Sequence, residues 1–283
     1  MLKHKIAGLL AVLILLISAT GCTNIRFTTG TGKNRFAVCG NYSISVQAAD
    51  ILISERKYSY EDLFNNEIWS RSVGDMTMEE YLLSDIKTLA GNVIYLNMMA
   101  EDMQINLTGD EEERISEYAE DYAEDSGFDK ADVEELLQML LIAEKSFYAM
   151  TEDVDTEVST DEARTISVQY MFFAVNDDVT DRMAENKASE ALQKIEDGTD
   201  FLTLAEEQSD DSIHSMEFYK GIYDKDFETA AYKLETGQVS SVVETKYGYY
   251  IIKCINDNIE SDTAKRKSEI VLKRREELLS LIH

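Results

Sequence analysis

Three tyrosines surround one glycine in the segment TKYGYYIIK, and their types and spacing are the first sign of chemistry in this chain. A phenol both donates and accepts hydrogen bonds, so tyrosines at the mouth of a strand can pack within a sheet or line a site. Because side chains alternate along a strand, we expect Tyr249 to face the packing side of the sheet. The pattern alone leaves packing and a binding site both open.

Several other chemistries lack their residues in this chain. Its three histidines are His4, His214 and His283, whereas hydrolytic triads and zinc sites need convergent histidines or clustered cysteines. His214 is interpreted as a surface histidine, and Cys39 and Cys254 as buried small side chains in apolar runs rather than a disulfide. No twelve-residue calcium loop or glycine-rich phosphate loop is present. We therefore expect neither a metal ion nor a cofactor.

The N-terminus has the order of a secretory signal. A basic start, MLKHK, precedes the apolar run IAGLLAVLILLIS and the small residues ATG before Cys22. Small residues directly before a cysteine resemble a bacterial lipobox, which predicts a lipoprotein signal peptide over 1–21, a lipid on Cys22 and a flexible tether over 22–34. A plain membrane anchor and an ordinary cleaved signal stay open as alternatives. The lipobox interpretation places the protein outside the cytoplasm, anchored to the outer face of a bacterial cell membrane.

The charge excludes one class of partner. The formal net charge is −28, from 27 basic and 55 acidic side chains. An acidic surface repels phosphate, so we expect no nucleic-acid partner. At 44% hydrophobic residues the chain can bury a core, and its 283 residues suggest one large domain or two modest ones.

The elements that must position these residues follow from periodicity and from turn and cap signals. A hairpin is predicted around Gly40, and helical periodicity then runs from Val46 to about residue 150. Thr108 and Glu111 have the spacing of a capping box. After Arg164 the pattern changes to a strand, TISVQYMFFAV, followed by three helices, the strands VSSVV and GYYIIKCI, and a closing helix.

This order predicts an α+β protein. A mostly helical domain over 35–160 is joined by a closing helix over 261–283, whose basic residues suit an acidic partner segment. Between them lies a compact βαααββ module over 166–257. The first domain would then be discontinuous in sequence.

The module resembles a parvulin-type peptidyl-prolyl isomerase. The resemblance rests on DGTDFLTLAEEQSDD and on DFETAAYKLETGQVSSVVETKYGYYIIK, in that order and at that spacing. The layout of the whole chain resembles the PrsA and SurA class of extracytoplasmic foldases. The resemblance implies an antiparallel sheet flanked by helices, a helical chaperone domain, and rotation of X–Pro amides in unfolded or partly folded secreted polypeptides, without a cofactor.

The resemblance also implies the site residues. The acidic position of the family falls on Asp211 and the threonine position on Thr245. The two positions at which the family typically has histidines fall on Tyr170 and Tyr250. A pair of phenols can hydrogen-bond across the sheet and hold Asp211.

The substrate pocket is implied in the same way. Its apolar floor falls on Phe227, with Tyr223 at a neighbouring position that is usually methionine or leucine, and Phe218 is a further substrate-binding residue. The loop before Phe227 lacks the family's Gly-Gly-Asp-Leu-Gly run.

Three functions follow as alternatives. The first is a prolyl isomerase whose activity is weak or lost because both histidines are replaced. The second is a non-catalytic, peptide-binding chaperone, with the Met- and Tyr-rich stretches YLNMMAEDM and FYAM either forming a groove or packing in the core. The third is a surface lipoprotein without a client.

Overall fold

The computed structural model describes residues 26–27 and 34–282. These residues form two compact units, one reaching to Asp155 and including 272–282, the other spanning Thr156–Val271. The predicted signal peptide over 1–21, Cys22 and most of the tether over 22–34 lie outside the described residues. Within the described ranges, no helix is both long and apolar enough to cross a bilayer. The domain boundaries given above stay a prediction.

The first unit is mostly helical. Its strands are β1 (Arg26–Phe27), β2 (Arg35–Cys39), β3 (Tyr42–Ser45), β4 (Ser72–Val73) and β5 (Met76–Thr77). Its helices are α1 (Val46–Phe64), α2 (Met78–Asp102), α3 (Gly109–Ser126) and α4 (Lys130–Met150), with a 3₁₀ turn at Asn66–Ser70. β1, β2 and β3 form one antiparallel sheet, and β4 and β5 form a separate hairpin.

Local signals explain where these elements begin and end. Gly40 turns the β2–β3 hairpin with φ of +58°, as predicted. The predicted capping box opens α3, because the Thr108 side chain accepts from the Glu111 N–H and the Glu111 carboxylate accepts from the Thr108 N–H. Gly127, in the left-handed region at φ of +80°, ends the same helix.

The core of the first unit lies between α1, α2, α3 and α4. Its fully buried side chains include Ile44, Leu52, Ile86, Val93, Leu140 and Phe147. Asn97 is buried in α2 and donates to the carbonyls of Val93 and Met139, so its amide links α2 to α4. The Met- and Tyr-rich stretches contribute mainly to this core, because Leu96 and Phe147 are buried and Met98 and Met150 pack against it.

The second unit is a sheet with helices on both faces. Its strands are β6 (Thr165–Ala174), β7 (Ser215–Tyr219), β8 (Val243–Thr245) and β9 (Gly248–Asn256). Its helices are α5 (Thr160–Ala163), α6 (Asp181–Glu196), α7 (Phe201–Gln208) and α8 (Lys225–Ala231), and α9 (Glu260–Ile282) follows β9. The strand order is β7-β6-β9-β8, antiparallel throughout, so the predicted α+β class with an antiparallel sheet and flanking helices is confirmed.

Strand alternation divides the sheet into two faces. Met171 and Phe173 of β6 and Tyr249 of β9 pack against α6 and α7 on one face. Tyr170 of β6 packs against α8 through Phe227 on the other. Tyr249 therefore faces the packing side, as predicted, and its hydroxyl donates to Asp181 at 3.0 Å.

The structure corrects two details of the module. The predicted order βαααββ omits β7, which pairs with β6 from Thr165 to Gln169. The predicted strand VSSVV is displaced, because Val239 makes one isolated bridge to Lys253 and β8 begins only at Val243. SMEFY has only five residues, so its pattern is too short to predict a strand from the sequence. Cys39 and Cys254 are both buried, as predicted.

Candidate functional site

The side chains of Tyr170 and Asp211 meet on the α8 face of the sheet. The Tyr170 hydroxyl donates to Oδ2 of Asp211 at 2.8 Å. Tyr170 is 4% exposed and Asp211 is half-buried. Oδ1 of the same carboxylate accepts the N–H of Ile213 at 3.2 Å, so both carboxylate oxygens are held.

The loop after α7 fixes Asp211 by bonding to β6 beyond the end of β7. Oγ of Ser209 accepts the N–H of Phe172 at 3.1 Å and the N–H of Asp211 at 3.2 Å. The N–H of Asp210 donates to the carbonyl of Phe172 at 2.8 Å. Asp211 is thus tied to the central strand through backbone as well as side-chain bonds, and its position is preorganised.

An aromatic wall adjoins this pair. The ring of Phe227 lies edge-on to Tyr170 and Tyr250, with centroids 6.0 and 5.1 Å away. Tyr250 stacks on Phe172 at 4.6 Å, and its ring centroid is 6.1 Å from that of Tyr170. These spacings are those of favourable aromatic pairs, so the wall is both apolar and packed.

Phe218 and Tyr223 extend the wall outward. The ring of Tyr223 lies edge-on to Phe218 at 5.1 Å and contacts Phe227 at 6.1 Å. Tyr223 stays 44% exposed, and its loop is closed by the Glu228 carboxylate, which accepts the N–H groups of residues 221–223. The wall therefore has a buried inner end and an exposed outer end.

Thr245 lies at the β8–β9 turn and not in the aromatic wall. Its hydroxyl donates to the carbonyl of Gly248 at 3.0 Å and accepts the N–H of Tyr247 at 3.2 Å. Both bonds lie within the β8–β9 turn, and Thr245 is 8% exposed. In this structure the hydroxyl fixes the start of β9, the strand that carries Tyr250.

The structure thus brings together most of the implied residues. Six lie on one side of the sheet and are linked by contacts into one cluster: Tyr170, Tyr250, Asp211, Phe218, Tyr223 and Phe227. Asp211 joins this cluster through its bond to Tyr170. Thr245 lies in the adjoining turn, and Cys22 is outside the described residues. Only Tyr170 of the phenol pair holds Asp211, and the Tyr250 hydroxyl has no hydrogen-bond partner within 34–282.

The electrostatics keep both phenols neutral. Burial, with the hydrogen bond and negative charge of Asp211, raises the pKa of Tyr170 well above its ordinary value. Burial and the charges of Asp211 and Asp224 raise the pKa of Tyr250 to about 12. Neither phenol becomes a base near neutrality, so the pair can donate and accept hydrogen bonds but cannot take up a proton.

Sequence reasoning missed the position of His214. The interpretation as a surface histidine is wrong, because His214 is half-buried and its Nδ1 is buried without a hydrogen-bond partner among the described residues. Its carbonyl accepts the N–H of Tyr170 at 2.9 Å, and continuing the β6–β7 register makes it the cross-strand neighbour of Tyr170. Predicting β7 and its pairing with β6 would have placed His214 opposite Tyr170, but the sequence analysis does not predict this strand.

No metal chemistry is supported by the geometry of this part of the chain. Across 26–27 and 34–282, no three His, Cys, Asp or Glu side chains are grouped to hold a metal ion. What the site offers instead is an apolar aromatic wall, one held carboxylate and neutral hydrogen-bonding groups.

Comparison with known proteins relates the second unit to a known domain family, and the whole chain, at lower identity, to known foldases. Residues 170–256 match the family model "Rotamase: PPIC-type PPIASE domain". "Foldase protein PrsA" of Clostridium acetobutylicum is 26% identical over 284 residues, covering 89% of this chain and 83% of that protein. "Foldase protein PrsA 3" of Bacillus anthracis is 44% identical over 75 residues, 24% of this chain and 26% of that protein. The crystal structure of a Bacillus cereus PrsA superimposes with a TM-score of 0.38 and 22% identity, covering 88% and 90% of the two chains.

The aromatic wall and Asp211 thus lie in a parvulin-type peptidyl-prolyl isomerase domain, and the predicted resemblance is confirmed. Over most of its length the chain is similar to PrsA foldases, at 24–26% identity.

Proposed function

We propose that this protein is an extracytoplasmic, lipid-anchored foldase that binds unfolded secreted polypeptides and rotates their X–Pro bonds slowly. In this proposal Asp211, Tyr170, Tyr250 and Thr245 form the catalytic group. The slow rate follows because phenols stand at the two positions where relatives typically carry imidazoles.

Rotation of an X–Pro amide makes and breaks no covalent bond. The barrier, about 18–20 kcal/mol, comes from the partial double bond between carbon and nitrogen, and the uncatalysed exchange takes tens of seconds or longer. An apolar pocket that binds the twisted amide better than either planar form lowers that barrier. No nucleophile, metal ion or cofactor is required, which agrees with the neutral phenols of this site.

Each side chain has a place in this proposal. Phe227, Phe218 and Tyr223 hold the proline ring and exclude water from the amide. Asp211 places negative charge near the carbonyl oxygen of the residue before proline, where it disfavours the resonance form that carries negative charge on that oxygen. Tyr170 keeps the carboxylate in position, and its oxygen can still accept a hydrogen bond from the substrate backbone.

The observation that carries this proposal is the 2.8 Å bond from the Tyr170 hydroxyl to Asp211, beside the ring of Phe227. A phenol at a position where the resemblance implies a histidine thus holds the carboxylate beside the aromatic wall. This arrangement supports the catalytic part of the proposal.

The first unit supports the chaperone part of the proposal with an apolar groove. The groove has a volume of about 470 Å³ and is lined by Ile53, Lys57, Trp69, Glu79, Leu82 and Leu83. Leu83 is 40% exposed, and Leu63 and Phe64 at the end of α1 are 72% and 55% exposed. We propose this groove for the apolar side chains of clients, because the Met- and Tyr-rich stretches are mostly in the core.

The proposal assigns the domains as the sequence predicts. The helical chaperone domain comprises 35–160 and 261–283, the isomerase domain 166–257, and the N-terminal lipid on Cys22 holds both at the membrane. The net charge of −28 also suits polypeptide rather than nucleic-acid partners.

A Cys22→Ala variant expressed in a Gram-positive host tests the anchor, and it should move the protein from the membrane fraction to the medium.

A paired assay separates the isomerase from its alternatives. The full chain is assayed for isomerisation of short X-Pro peptides and for suppression of aggregation of an unfolded client. The proposal predicts both activities. Suppression with isomerisation at the uncatalysed rate would favour the peptide-binding chaperone, and neither activity would favour a surface lipoprotein.

A further inference from the structure

A second cavity lies in the first unit, between α1, α3 and the residues that follow α3. Its volume is about 200 Å³. Six of its lining side chains are aromatic or acidic: Glu55, Tyr58, Tyr118, Tyr122, Asp125 and Phe128. The proposed isomerase site lies in the second unit, so isomerisation does not use this cavity.

Four of the eight residues that line the cavity are aromatic. Tyr122 and Phe128 stack with centroids 6.4 Å apart and planes inclined by 10°. Tyr58 lines the same space and stays 40% exposed, so solvent reaches the cavity on that side. The faces of aromatic rings carry partial negative charge and attract cations.

The charged side chains that line the cavity are acidic. Oε1 of Glu55 accepts the Tyr122 hydroxyl at 2.6 Å, and Asp125 lines the cavity nearby. None of the lining residues is a lysine or arginine. Burial raises the pKa of the Tyr118 phenol, and the negative charges of Glu55 and Asp121 raise it further, in agreement with a negative potential inside.

We propose that this cavity binds an organic cation, an ammonium or guanidinium group on an alkyl chain such as that of lysine or arginine. The rings of Tyr58 and Tyr122 contact the alkyl stem and the cation face, and Glu55 and Asp125 balance the charge. An unfolded polypeptide presents such side chains, and a free amino-acid derivative presents the same chemistry. The proposal does not depend on isomerase activity.

Calorimetric titration of the full chain tests the cavity. The probes are N-acetyl-arginine amide and its neutral isostere N-acetyl-citrulline amide, with an arginine-centred pentapeptide to show whether a polypeptide binds more tightly than the single residue. We expect the arginine probes to bind at least about tenfold more tightly than citrulline. No binding of any probe, or equal binding of arginine and citrulline, would overturn the proposal.

Matched variants locate the binding. Asp125→Asn and Tyr58→Leu should each weaken arginine binding by about fivefold or more. Glu113→Gln, which removes a charge from the exposed side of α3, should bind as the unmodified chain does. Circular dichroism checks that each variant is folded. Arginine binding that is unchanged in both Asp125→Asn and Tyr58→Leu would place the cation elsewhere and refute the assignment.

Discussion

The Tyr170 hydroxyl donates to Oδ2 of Asp211 at 2.8 Å, on the sheet face opposite to the one that α6 and α7 cover. This bond joins the central strand of the module to the loop after α7. It keeps a carboxylate at the edge of an aromatic wall without the help of an imidazole.

Removing that bond should slow isomerisation. In Tyr170→Phe the ring stays in place but Asp211 loses its phenol donor, and a hydrogen bond to a charged group justifies an expected fall of about tenfold in kcat/KM. The matched control is Tyr249→Phe, which loses its bond to Asp181 on the packing face. The control should stay within about twofold of the unmodified protein. Equal activities of both variants would show that the Tyr170 bond has no catalytic role.

Phe227 should matter for substrate binding as well as for stability. Phe227→Ala removes a 3%-exposed ring and should cost about 3–5 kcal/mol of unfolding free energy. Phe227→Leu keeps the fold but removes the ring that contacts Tyr170 and Tyr250, so its KM for X-Pro peptides should rise. Phe201→Leu, equally buried on the other face, is the control for packing alone and should lower stability without changing KM.

Gly248 should be required for the strand that carries Tyr250. It has φ of +140°, and a Cβ there would collide with the carbonyl oxygen of Phe173. Gly248→Ala should therefore destabilise the module by about 4 kcal/mol or more. Gly237→Ala is the control, because Gly237 also has a positive φ but its Cβ would meet nothing within 4 Å, and about 1 kcal/mol is expected. Urea unfolding compares the two, and similar losses would contradict the close approach to Phe173.

The fold was predictable where its signals are local. The turn at Gly40 and the capping box of Thr108 and Glu111 depend on residues close in sequence, and both are found where the sequence places them. The β7 strand and the position of His214 depend on pairing with β6, which is distant in the chain. The Met-rich stretch fits either a groove or a core, because periodicity shows that a helix has an apolar face but not what covers it.

The site was predictable only through the family resemblance. Neither Tyr170 nor Asp211 is conspicuous by itself, since one lies within an apolar run and the other within an acidic loop. Their contact depends on the bonds from Ser209 to β6, which no sequence period encodes.

The first unit should lose a specific stabilisation in acid. Hydrogen bonds from Lys145 and from the Thr108 N–H lower the pKa of Glu111 to about 2. Because the folded-state pKa is below the unfolded value, this contribution is complete above the unfolded pKa and is lost as the pH falls through about 2. Glu111→Gln should therefore lower the urea midpoint at pH 7 and progressively less below pH 4. Glu113→Gln, an exposed substitution on the same helix, should change the urea midpoint at pH 7 little.

Two-dimensional NMR exchange spectroscopy measures whether the protein catalyses exchange between the cis and trans forms of an X-Pro peptide. With the full chain present, we expect exchange cross-peaks that build up faster than in buffer. They should weaken with Tyr170→Phe and weaken further with Asp211→Ala. Exchange at the uncatalysed rate, from a protein that still suppresses client aggregation, would contradict the claim that the Tyr170–Asp211 pair supports a working isomerase.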